Sequence, residues 1–502
     1  MENLMHLFEG FNYLFTLQNI GVTMIGAVLG LLVGAMPGIG SLAGVALLLP
    51  LTFKFNPTTA IIMLGSLYYA NMYGGAFSAI LIGIPGDGPA VMTMMDGYPM
   101  ATQKNRPGQA LLTSNISSFI GGTIGMIILT FMGPSLANAG LRFGPAEMTA
   151  LLLLAMTSIG WLVGENPTKG LVLTMFGILL ASMGMDTLSG TPRYDFGNIY
   201  LLGGIPFVPF VIGMVGFSQV IRLMGDRHKE TQIAVKKLSI KESMITFHDF
   251  KRLLPPAIRS GFLGTFVGVL PGAGATTAAF MGYAVQKSFK SEEPLGTGAI
   301  EGIAACEAAN NAAAAGAFAP LLALGIPGSG TGAVLLGGLM MWGLNPGPLL
   351  FTNSPEFAWS LIASLFLANI ITLIIAWGII PFLIKILSVP TRLMIPAITV
   401  VCIVGSYSTS NSMFGIVVMF IAGVLGYVLG NAGYSTAPAI LSFVLAPLLE
   451  SNMRKAFIIS QGSLDFFYTK PIALAFMIIL VLVILFPLIR LVLTKAGVMK
   501  KK

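Results

Sequence analysis

Long apolar blocks recur along almost the whole chain and are separated by short turns rich in Pro, Gly and Asn. A membrane-spanning helix needs about 20 apolar residues, and most of these blocks are of that length. The pattern predicts an all-α polytopic membrane protein with roughly 10–14 membrane segments. The blocks lie near 20–53, 57–84, 108–132, 145–163, 166–184, 199–222, 254–287, 298–326, 355–385, 390–409, 411–429 and 471–494.

The composition excludes an ordinary soluble domain. Of the 502 residues, 9% are charged and 55% are hydrophobic, whereas soluble proteins carry about 25% charged residues. Two cysteines and three histidines are too few for a disulfide framework or a His-ligated metal inside the membrane. We therefore expect no enzyme activity, no resident cofactor and no nucleic-acid partner.

A charged segment divides the chain into two halves. Between Arg222 and Arg259 stand nine Lys or Arg residues and four acids, and an excess of Lys and Arg marks a cytoplasmic loop. The predicted organisation is an interfacial helix at 1–19, membrane repeat 1 at 20–222, a charged cytoplasmic linker at 223–253, membrane repeat 2 at 254–494 and a basic tail at 495–502.

The two halves share motifs in the same order. The segment Gly30–Gly40 returns as Gly264–Gly274, and Gly83–Gly88 returns as Gly325–Gly330. Paired motifs predict an internal duplication, which is how many secondary transporters are built. We favour two inverted repeats with broken helices or re-entrant hairpins, because the interrupted segments give an odd number of crossings. The basic tail, Lys495–Lys502, favours an even number, so a parallel arrangement stays open.

Four Pro-Gly interruptions fall inside apolar blocks. Proline removes a helix hydrogen bond and glycine permits non-helical backbone, so each interruption leaves N–H groups unpaired. Such groups are tolerated at membrane depth when they line a cavity, where a helix N-terminus favours an anion. The alternative is a simple kink. The predicted substrate-binding residues are Pro37, Gly38, Gly40, Ser41, Gly86, Asp87, Gly88, Gly272, Gly274, Thr276, Thr277, Gly328, Ser329, Gly330 and Thr331.

Polar residues inside apolar blocks are candidates for coupling. An ionisable residue at membrane depth is costly and is functional by default. The predicted coupling-ion residues, which would hold Na⁺ or carry a proton, are Asn71, Asp87, Glu307, Asn310 and Asn311. The alternative is a carboxylate that is neutral or paired within the bundle. By contrast, Asp96, Lys104 and Arg106 are expected in a solvated turn.

Three stretches together resemble a known family. They are Val-Gly-Ala-Met-Pro-Gly-Ile-Gly at 33–40, Tyr-Gly-Gly-Ala-Phe-Ser-Ala-Ile-Leu-Ile-Gly-Ile-Pro-Gly at 73–86, and Ala-Asn-Asn-Ala-Ala-Ala-Ala-Gly-Ala-Phe at 309–318 followed by Leu-Gly-Ile-Pro-Gly-Ser-Gly at 324–330. This pattern resembles the large membrane subunit of the bacterial tripartite tricarboxylate transporters, TctA.

The resemblance implies a multi-pass permease of the bacterial cytoplasmic (inner) membrane. It implies secondary active symport of citrate or another small di- or tricarboxylate with Na⁺ or H⁺. It also implies two partners, a small membrane subunit and a periplasmic solute-binding protein, and it assigns the site to the motif residues named above. The rival functions are a carboxylate or anion channel on the same scaffold, an intramembrane enzyme, and a structural subunit without a transport path.

Overall fold

The computed structural model describes residues 2–36, 39–162, 167–186, 189–225, 238–387, 389 and 391–495. Nearly all secondary structure in this part is helical, and the single β element in it is a two-stranded antiparallel hairpin. Five of its helices are long and apolar enough to cross a membrane, and six further apolar helices are shorter. The prediction of an all-α polytopic membrane protein is confirmed.

The helices of the N-terminal part begin near proline or a polar cap. Thr16 and Asn56 accept N-terminal N–H groups of the second and fourth helix, and Pro57 stands at the first position of the fourth. The elements are α1 (Glu2–Leu14), α2 (Leu17–Ala35), α3 (Gly40–Leu48), a 3₁₀ turn (Leu49–Lys54), α4 (Pro57–Ile82), α5 (Ala90–Thr102), α6 (Pro107–Gly140), α7 (Pro145–Leu162) and α8 (Pro167–Ala181).

The middle of the chain contains the hairpin and the second set of interrupted helices. A π-helical segment, Ile212–Phe217, joins the helices Phe207–Val211 and Ser218–Gly225 into one continuous helix. The elements are β1 (Gly184–Met185), β2 (Pro192–Arg193), a 3₁₀ turn (Ile199–Leu201), α9 (Phe207–Val211), α10 (Ser218–Gly225), α11 (Phe247–Val269), α12 (Gly274–Gln286), α13 (Ile300–Gly316), α14 (Phe318–Leu324) and α15 (Gly330–Met341).

The C-terminal part is again helical. The apolar stretch at 437–449 is the first half of a 23-residue helix. The elements are α16 (Leu350–Asn353), α17 (Pro355–Gly378), a 3₁₀ turn (Ile380–Phe382), α18 (Leu383–Leu387), α19 (Thr391–Ser410), α20 (Met413–Asn431), α21 (Ala437–Ile459), α22 (Phe466–Thr469) and α23 (Pro471–Lys495).

The chain forms two compact units. Unit 1 comprises Met1–Ala137 and Pro206–Asn431, and unit 2 comprises Asn138–Ile205 and Ala432–Lys502. Each unit therefore takes residues from both predicted repeats. In unit 2, α21 packs against α7 and α8, and Arg454 donates to Asp186 at 2.8 Å beside the hairpin.

Close helix packing in unit 1 depends on glycine. A Cβ added at Gly26, Gly30 or Gly34 of α2 would overlap a backbone carbonyl oxygen of α4. Gly264 and Gly268 of α11 lie against carbonyl oxygens of α13 in the same way. Small residues at a four-residue spacing let helix backbones approach closely, which explains how α2 packs on α4 and α11 packs on α13.

The equivalent helices of the two halves run in opposite directions within unit 1. Helix α4 begins beside the start of α2, where the Thr59 hydroxyl donates to Asn19 at 2.8 Å, and it ends at Gly83 against the ring of Tyr98. Near that same end, α13 begins, since the N–H of Ala299 donates to Asp96 of α5.

We call one end of unit 1 the linker end, because Arg106 of the α5–α6 turn pairs there with Asp249 of α11 at 2.9 Å. The other end, where Asn19 and Thr59 lie, is called the opposite end. Helix α14 finishes at the opposite end, because residues that follow α15 line a cavity there together with the first turn of α4. The duplication and its inversion stay predictions, and this reversal of direction supports them.

Three predicted segments, the charged linker, the basic tail and the interfacial helix, can be compared with the structure only in part. The first turns of α11 occupy the end of the predicted linker, while 226–237 lies outside the described residues. The basic tail is described only at Lys495. In the predicted interfacial segment, α1 packs on α17, where His6 stacks on Trp359 with ring centroids 5.6 Å apart.

Candidate functional site

The first two interruptions are joined by a carboxylate. Asp87 Oδ2 accepts the backbone N–H of Ser41 at 3.1 Å, and Asp87 Oδ1 accepts that of Gly88 at 2.7 Å. The carboxylate therefore stands at the N-terminus of α3, where the helix dipole favours negative charge. Pro37 and Gly38, which were predicted to belong to this interruption, lie outside the described residues.

The chain folds back sharply after α4. Gly83 ends the helix in the left-handed conformation, with φ of 69°, which a side chain would disfavour. The loop then returns along α4 until the N–H of Gly86 donates to the carbonyl oxygen of Gly75 at 3.2 Å. This return places Asp87 beside Gly75, in the last third of α4, and α5 then starts at Ala90.

The third and fourth interruptions adopt the same backbone conformations. Gly274 has φ of 62° against 64° for Gly40, and Gly325 has φ of 69°, the same value as Gly83. Ser329 stands at the position of Asp87, and its hydroxyl accepts the N–H of Gly332 at the start of α15. The second half thus has a hydroxyl where the first half has a carboxylate.

Contacts between the halves bring all four interruptions together. The hydroxyl oxygens of Ser41 and Thr331 lie 3.1 Å apart. A Cβ added at Gly88 would lie 2.7 Å from the hydroxyl oxygen of Thr276, and one added at Gly274 would lie 4.0 Å from Cβ of Ser329. We call the set Ser41, Asp87, Gly88, Thr276, Ser329 and Thr331 the four-break cluster.

The four-break cluster combines buried and accessible groups. Ser41 and Thr331 are buried, Asp87 and Ser329 are partly exposed, and Thr276 is exposed. Of the other predicted residues, Gly272, Gly328 and Gly330 are buried in the adjoining turns, and Thr277 is partly exposed on the first turn of α12. The helix N-termini of α12 and α15 thus lie beside polar side chains that are partly exposed.

The predicted coupling residues do not form one group with the cluster. Asp87 belongs to the cluster, whereas Glu307 lies within α13, outside the loops and helix starts that form the cluster. Glu307 accepts the hydroxyls of Thr93 and Ser118 instead, the latter at 2.8 Å. This carboxylate is fully buried and links α13 to α5 and α6.

The predicted asparagines are buried with unsatisfied amide atoms. Both side-chain polar atoms of Asn71 lack a protein partner, as do the amide oxygens of Asn310 and Asn311. Most buried polar groups in native proteins are hydrogen bonded, so these amides are available to water, an ion or a substrate. Asn71 faces α3, since its amide nitrogen would lie 3.8 Å from a Cβ added at Gly44.

The expectation of a solvated turn was wrong for Asp96. This side chain is fully buried on α5 and accepts the phenolic hydroxyl of Tyr283 at 2.8 Å. It also accepts the backbone N–H groups of Gly296, Gly298 and Ala299 at 2.8–2.9 Å. Asp96 therefore ties the loop that leads into α13 to α5 and α12.

The two basic residues beyond α5 are also paired. Lys104 donates to Glu293 at 2.6 Å, and Arg106 pairs with Asp249, which is buried on α11. Sequence reasoning missed these partners and missed Thr93, Ser118 and Tyr283 altogether. The one available signal was Asp96 itself, an acid within an apolar stretch.

This architecture, in which interrupted membrane helices from both halves of a chain meet in a polar cluster, is that of a membrane transporter. The chain belongs to the tripartite tricarboxylate transporter TctA family, whose model it matches over residues 20–441. Membership supports a multi-pass membrane transporter that works in a tripartite system, and it gives no support to an enzyme.

Two relatives from Agrobacterium vitis are similar to this chain. One, an uncharacterized 52.8 kDa protein in the TAR-I ttuC' 3' region, is 39% identical over 494 residues, which is 98% of each chain. The other, an uncharacterized protein in the TAR-II ttuC' 3' region, is 41% identical over 231 residues, covering 45% of this chain and 96% of the relative. No solved structure matches this chain significantly.

Proposed function

We propose that the chain is the large permease subunit of a binding-protein-dependent secondary transporter of the bacterial inner membrane. It imports a small, citrate-like di- or tricarboxylate in symport with Na⁺ or H⁺. The observation that carries the proposal is the convergence of Ser41, Asp87, Thr276 and Thr331, which come from four separate interruptions. Its partners are a small membrane subunit and a periplasmic solute-binding protein.

The charge distribution in the four-break cluster favours the second half for carboxylate binding. The N-terminus of α3 already faces the Asp87 carboxylate, which fulfils the role of an anion there. The N-terminus of α12 has no side-chain cap, and Ser329 at the start of α15 contributes only a hydroxyl. A substrate carboxylate is therefore stabilised at the α12 and α15 N-termini, beside Thr276 and Thr331.

Asp87 gives a physical reason for the proposed coupling to a cation. A substrate anion close to this carboxylate is repelled unless a positive charge or a proton is added nearby. A coupling ion that enters with the substrate removes this repulsion. Asn71, Glu307, Asn310 and Asn311 supply further polar atoms at membrane depth for the coupling step.

Alternating access follows from the packing of the halves. The four interruptions lie in contact, so motion of one half relative to the other opens the cluster toward one membrane face at a time. The glycine faces of α2 and α11 let these helices pack directly on the backbones of α4 and α13. Each helix pair therefore moves as one packed body.

The test is transport by the full chain, reconstituted in proteoliposomes with its small membrane subunit and supplied with the binding protein. Labelled succinate, malate and citrate are offered while Na⁺ and H⁺ gradients are imposed separately. We expect one carboxylate to accumulate against its gradient and D87N to lose accumulation. The control S135A removes an exposed hydroxyl of α6 and should transport normally.

Each rival function gives a different result. Flux that ignores both ion gradients and never concentrates the substrate indicates a channel. Normal uptake by a chain with Gly328 and Gly330 both replaced by leucine would indicate a structural subunit. Chemical conversion of a carboxylate or lipid substrate by the purified chain would support the interpretation as an enzyme.

A further inference from the structure

Glu307 is a buried carboxylate surrounded by hydroxyl groups. Its two oxygens accept hydrogen bonds from Thr93 of α5 and from Ser118 of α6, and its exposed fraction is 0%. A buried charge without a positive partner is strongly disfavoured, so such a carboxyl group usually binds a proton. The ionisable groups around Glu307 therefore decide its role.

None of the ion pairs among the described residues includes Glu307. Helix α6 carries no ionisable residue, and α4 contributes only tyrosines to the region, the nearest being Tyr73, whose hydroxyl donates to Asn369. On α11, Arg252 pairs with Glu301 at 2.9 Å, and Arg259 donates to Gln286.

The neighbouring acids and thiol add no positive charge. On α5, Asp96 is held by Tyr283 of α12 and by backbone N–H groups. On α13 itself, Cys306 donates to the carbonyl oxygen of Ile303 at 3.3 Å. The charge of Glu307 can thus be removed only by an ion that enters from outside.

The hydrogen-bond geometry favours a proton over a metal cation. A hard cation keeps its oxygen ligands about 2.3–2.6 Å away, so two ligands at right angles lie roughly 3.3 Å or more apart. The Ser118 hydroxyl oxygen is 2.8 Å from the carboxylate, and that of Thr93 is in direct hydrogen-bond contact. Each hydroxyl oxygen thus contacts a carboxylate oxygen of Glu307 directly, and neither contact leaves room for Na⁺ between its two oxygens.

Glu307 also lies between the four-break cluster and the linker end. Helix α13 starts at Ile300 near the linker end, and Glu307 is two turns inside the helix. One turn further toward the cluster, the amide oxygens of Asn310 and Asn311 are buried without a protein partner. These two amides offer hydrogen-bonding positions between the carboxyl group and the cluster.

We propose that Glu307 is the proton-binding site that couples carboxylate import to the proton gradient. This inference rests on the proposed function and names its coupling ion. One proton from the external side adds to a carboxylate oxygen of Glu307 and is later released toward the linker end, which the Lys and Arg excess places in the cytoplasm. No other bond forms or breaks.

The proton changes the contact between two helices. When Glu307 is charged, Thr93 and Ser118 donate to it; when it is protonated, its own O–H donates to one of them. The displaced hydroxyl then turns to a carbonyl oxygen one turn earlier in its own helix, as helical Ser and Thr commonly do. Because α5 follows directly after Asp87, the protonation of Glu307 alters the element that positions the four-break cluster.

The experiment compares E307Q with E147Q, which changes a buried glutamate of unit 2. Glutamine mimics the protonated group and cannot release a proton. In the reconstituted complex we expect E307Q to lose accumulation driven by a proton gradient about tenfold or more. It should retain exchange of labelled for unlabelled carboxylate at equal pH, and E147Q should retain both.

A second measurement does not depend on transport. Infrared spectra of the purified chain in lipid, recorded across a pH series, should show a protonated-carboxyl band that E307Q lacks and E147Q keeps. T93V leaves the Glu307 side chain in place but removes one hydroxyl that donates to its charged form. This variant should shift the midpoint of the band to higher pH.

The outcomes separate the two claims. If no carboxylate is taken up by the wild-type complex, the proposed function fails, whereas the infrared titration still tests Glu307. If a Na⁺ gradient alone drives uptake, or if E307Q accumulates substrate as well as E147Q does, the proton-binding role of Glu307 is wrong. An unchanged infrared band in E307Q also overturns it.

Discussion

Ser41 and Thr331, which are 290 positions apart in the sequence, place their hydroxyl oxygens 3.1 Å apart. Each hydroxyl belongs to the first turn of a helix that begins at a glycine, α3 in the first half and α15 in the second. The contact is a direct link between the two halves of the chain. It makes the four-break cluster one site to which both halves contribute.

Removal of this link should impair transport more than stability. A neutral buried hydrogen bond contributes about 0.5–1.5 kcal/mol, so T331V should remain folded. We expect its half-saturation concentration for the transported carboxylate to rise severalfold in proteoliposome uptake. T352V, which alters an exposed threonine of α16, is the control. Equal kinetics in the two variants would contradict a role for Thr331 in the site.

Substitution of Asp87 tests the charge of the cluster. D87N keeps the size of the side chain but loses the negative charge at the N-terminus of α3. Loss of a helix cap costs about 1 kcal/mol, so the variant should fold and show reduced cation-driven accumulation. Binding of the carboxylate, measured by calorimetry, should depend less on the coupling ion. An unchanged ion dependence would show that Asp87 does not take part in coupling.

Two glycines of α2 form a matched pair for the packing of this helix. A Cβ at Gly30 would overlap the backbone of α4, whereas Gly21 has no atom within 4 Å of its added Cβ. Overpacking costs about 1–3 kcal/mol, and Gly to Ala in an open helix position gains up to about 1 kcal/mol. Thermal unfolding in detergent should therefore be lowered by G30A and unchanged or raised by G21A.

Asp96 should be among the most sensitive positions for stability. Hydrogen bonds to charged groups contribute about 1.5–3 kcal/mol each, and Asp96 accepts four of them. We expect D96A to lower the melting temperature strongly and Y283F to lower it modestly. In a double-mutant cycle the two effects should be less than additive, because Tyr283 loses its acceptor in D96A. Full additivity would contradict the bond between them.

The opposite directions of the two halves can be tested by thiol labelling. In a chain without its native cysteines, K54C introduces an exposed thiol before α4 of the first half, and K290C introduces one before α13 of the second half. A membrane-impermeant reagent applied to intact cells should label K54C, while K290C reacts only after the membrane is permeabilised. Labelling of both from the same side would refute the proposed inverted arrangement.

Much of the architecture could be predicted from local sequence. Proline and glycine inside an apolar block identify an interruption whatever surrounds it, which explains why Gly40, Gly83, Gly274 and Gly325 were recognised. Their matching positive φ angles show the same local rule at work in both halves. The direct contacts between interruptions, such as that of Ser41 with Thr331, depend on packing. The sequence predicted that all four interruptions contribute to binding but not which residues touch.

Partners distant in sequence were beyond local reasoning. The sequence around Asp96 predicted a polar turn. The hydrogen-bond donors to Asp96 are Tyr283 and the loop before α13, which lie almost 200 positions later in the sequence. The compact units also cross the predicted halves, since α7 and α8 of the first half pack against α21 of the second. No periodicity or motif reports which helix a given apolar face contacts.

The substitution of Ser329 for Asp87 at equivalent turns gives the four-break cluster an electrical polarity. One side has a fixed negative charge, while the other has only hydroxyls and helix N-termini. An elongated guest with two unlike ends has a lower energy in one orientation than in the reverse. A single side-chain difference between two otherwise matching turns is thus enough to set the orientation in which such a molecule binds.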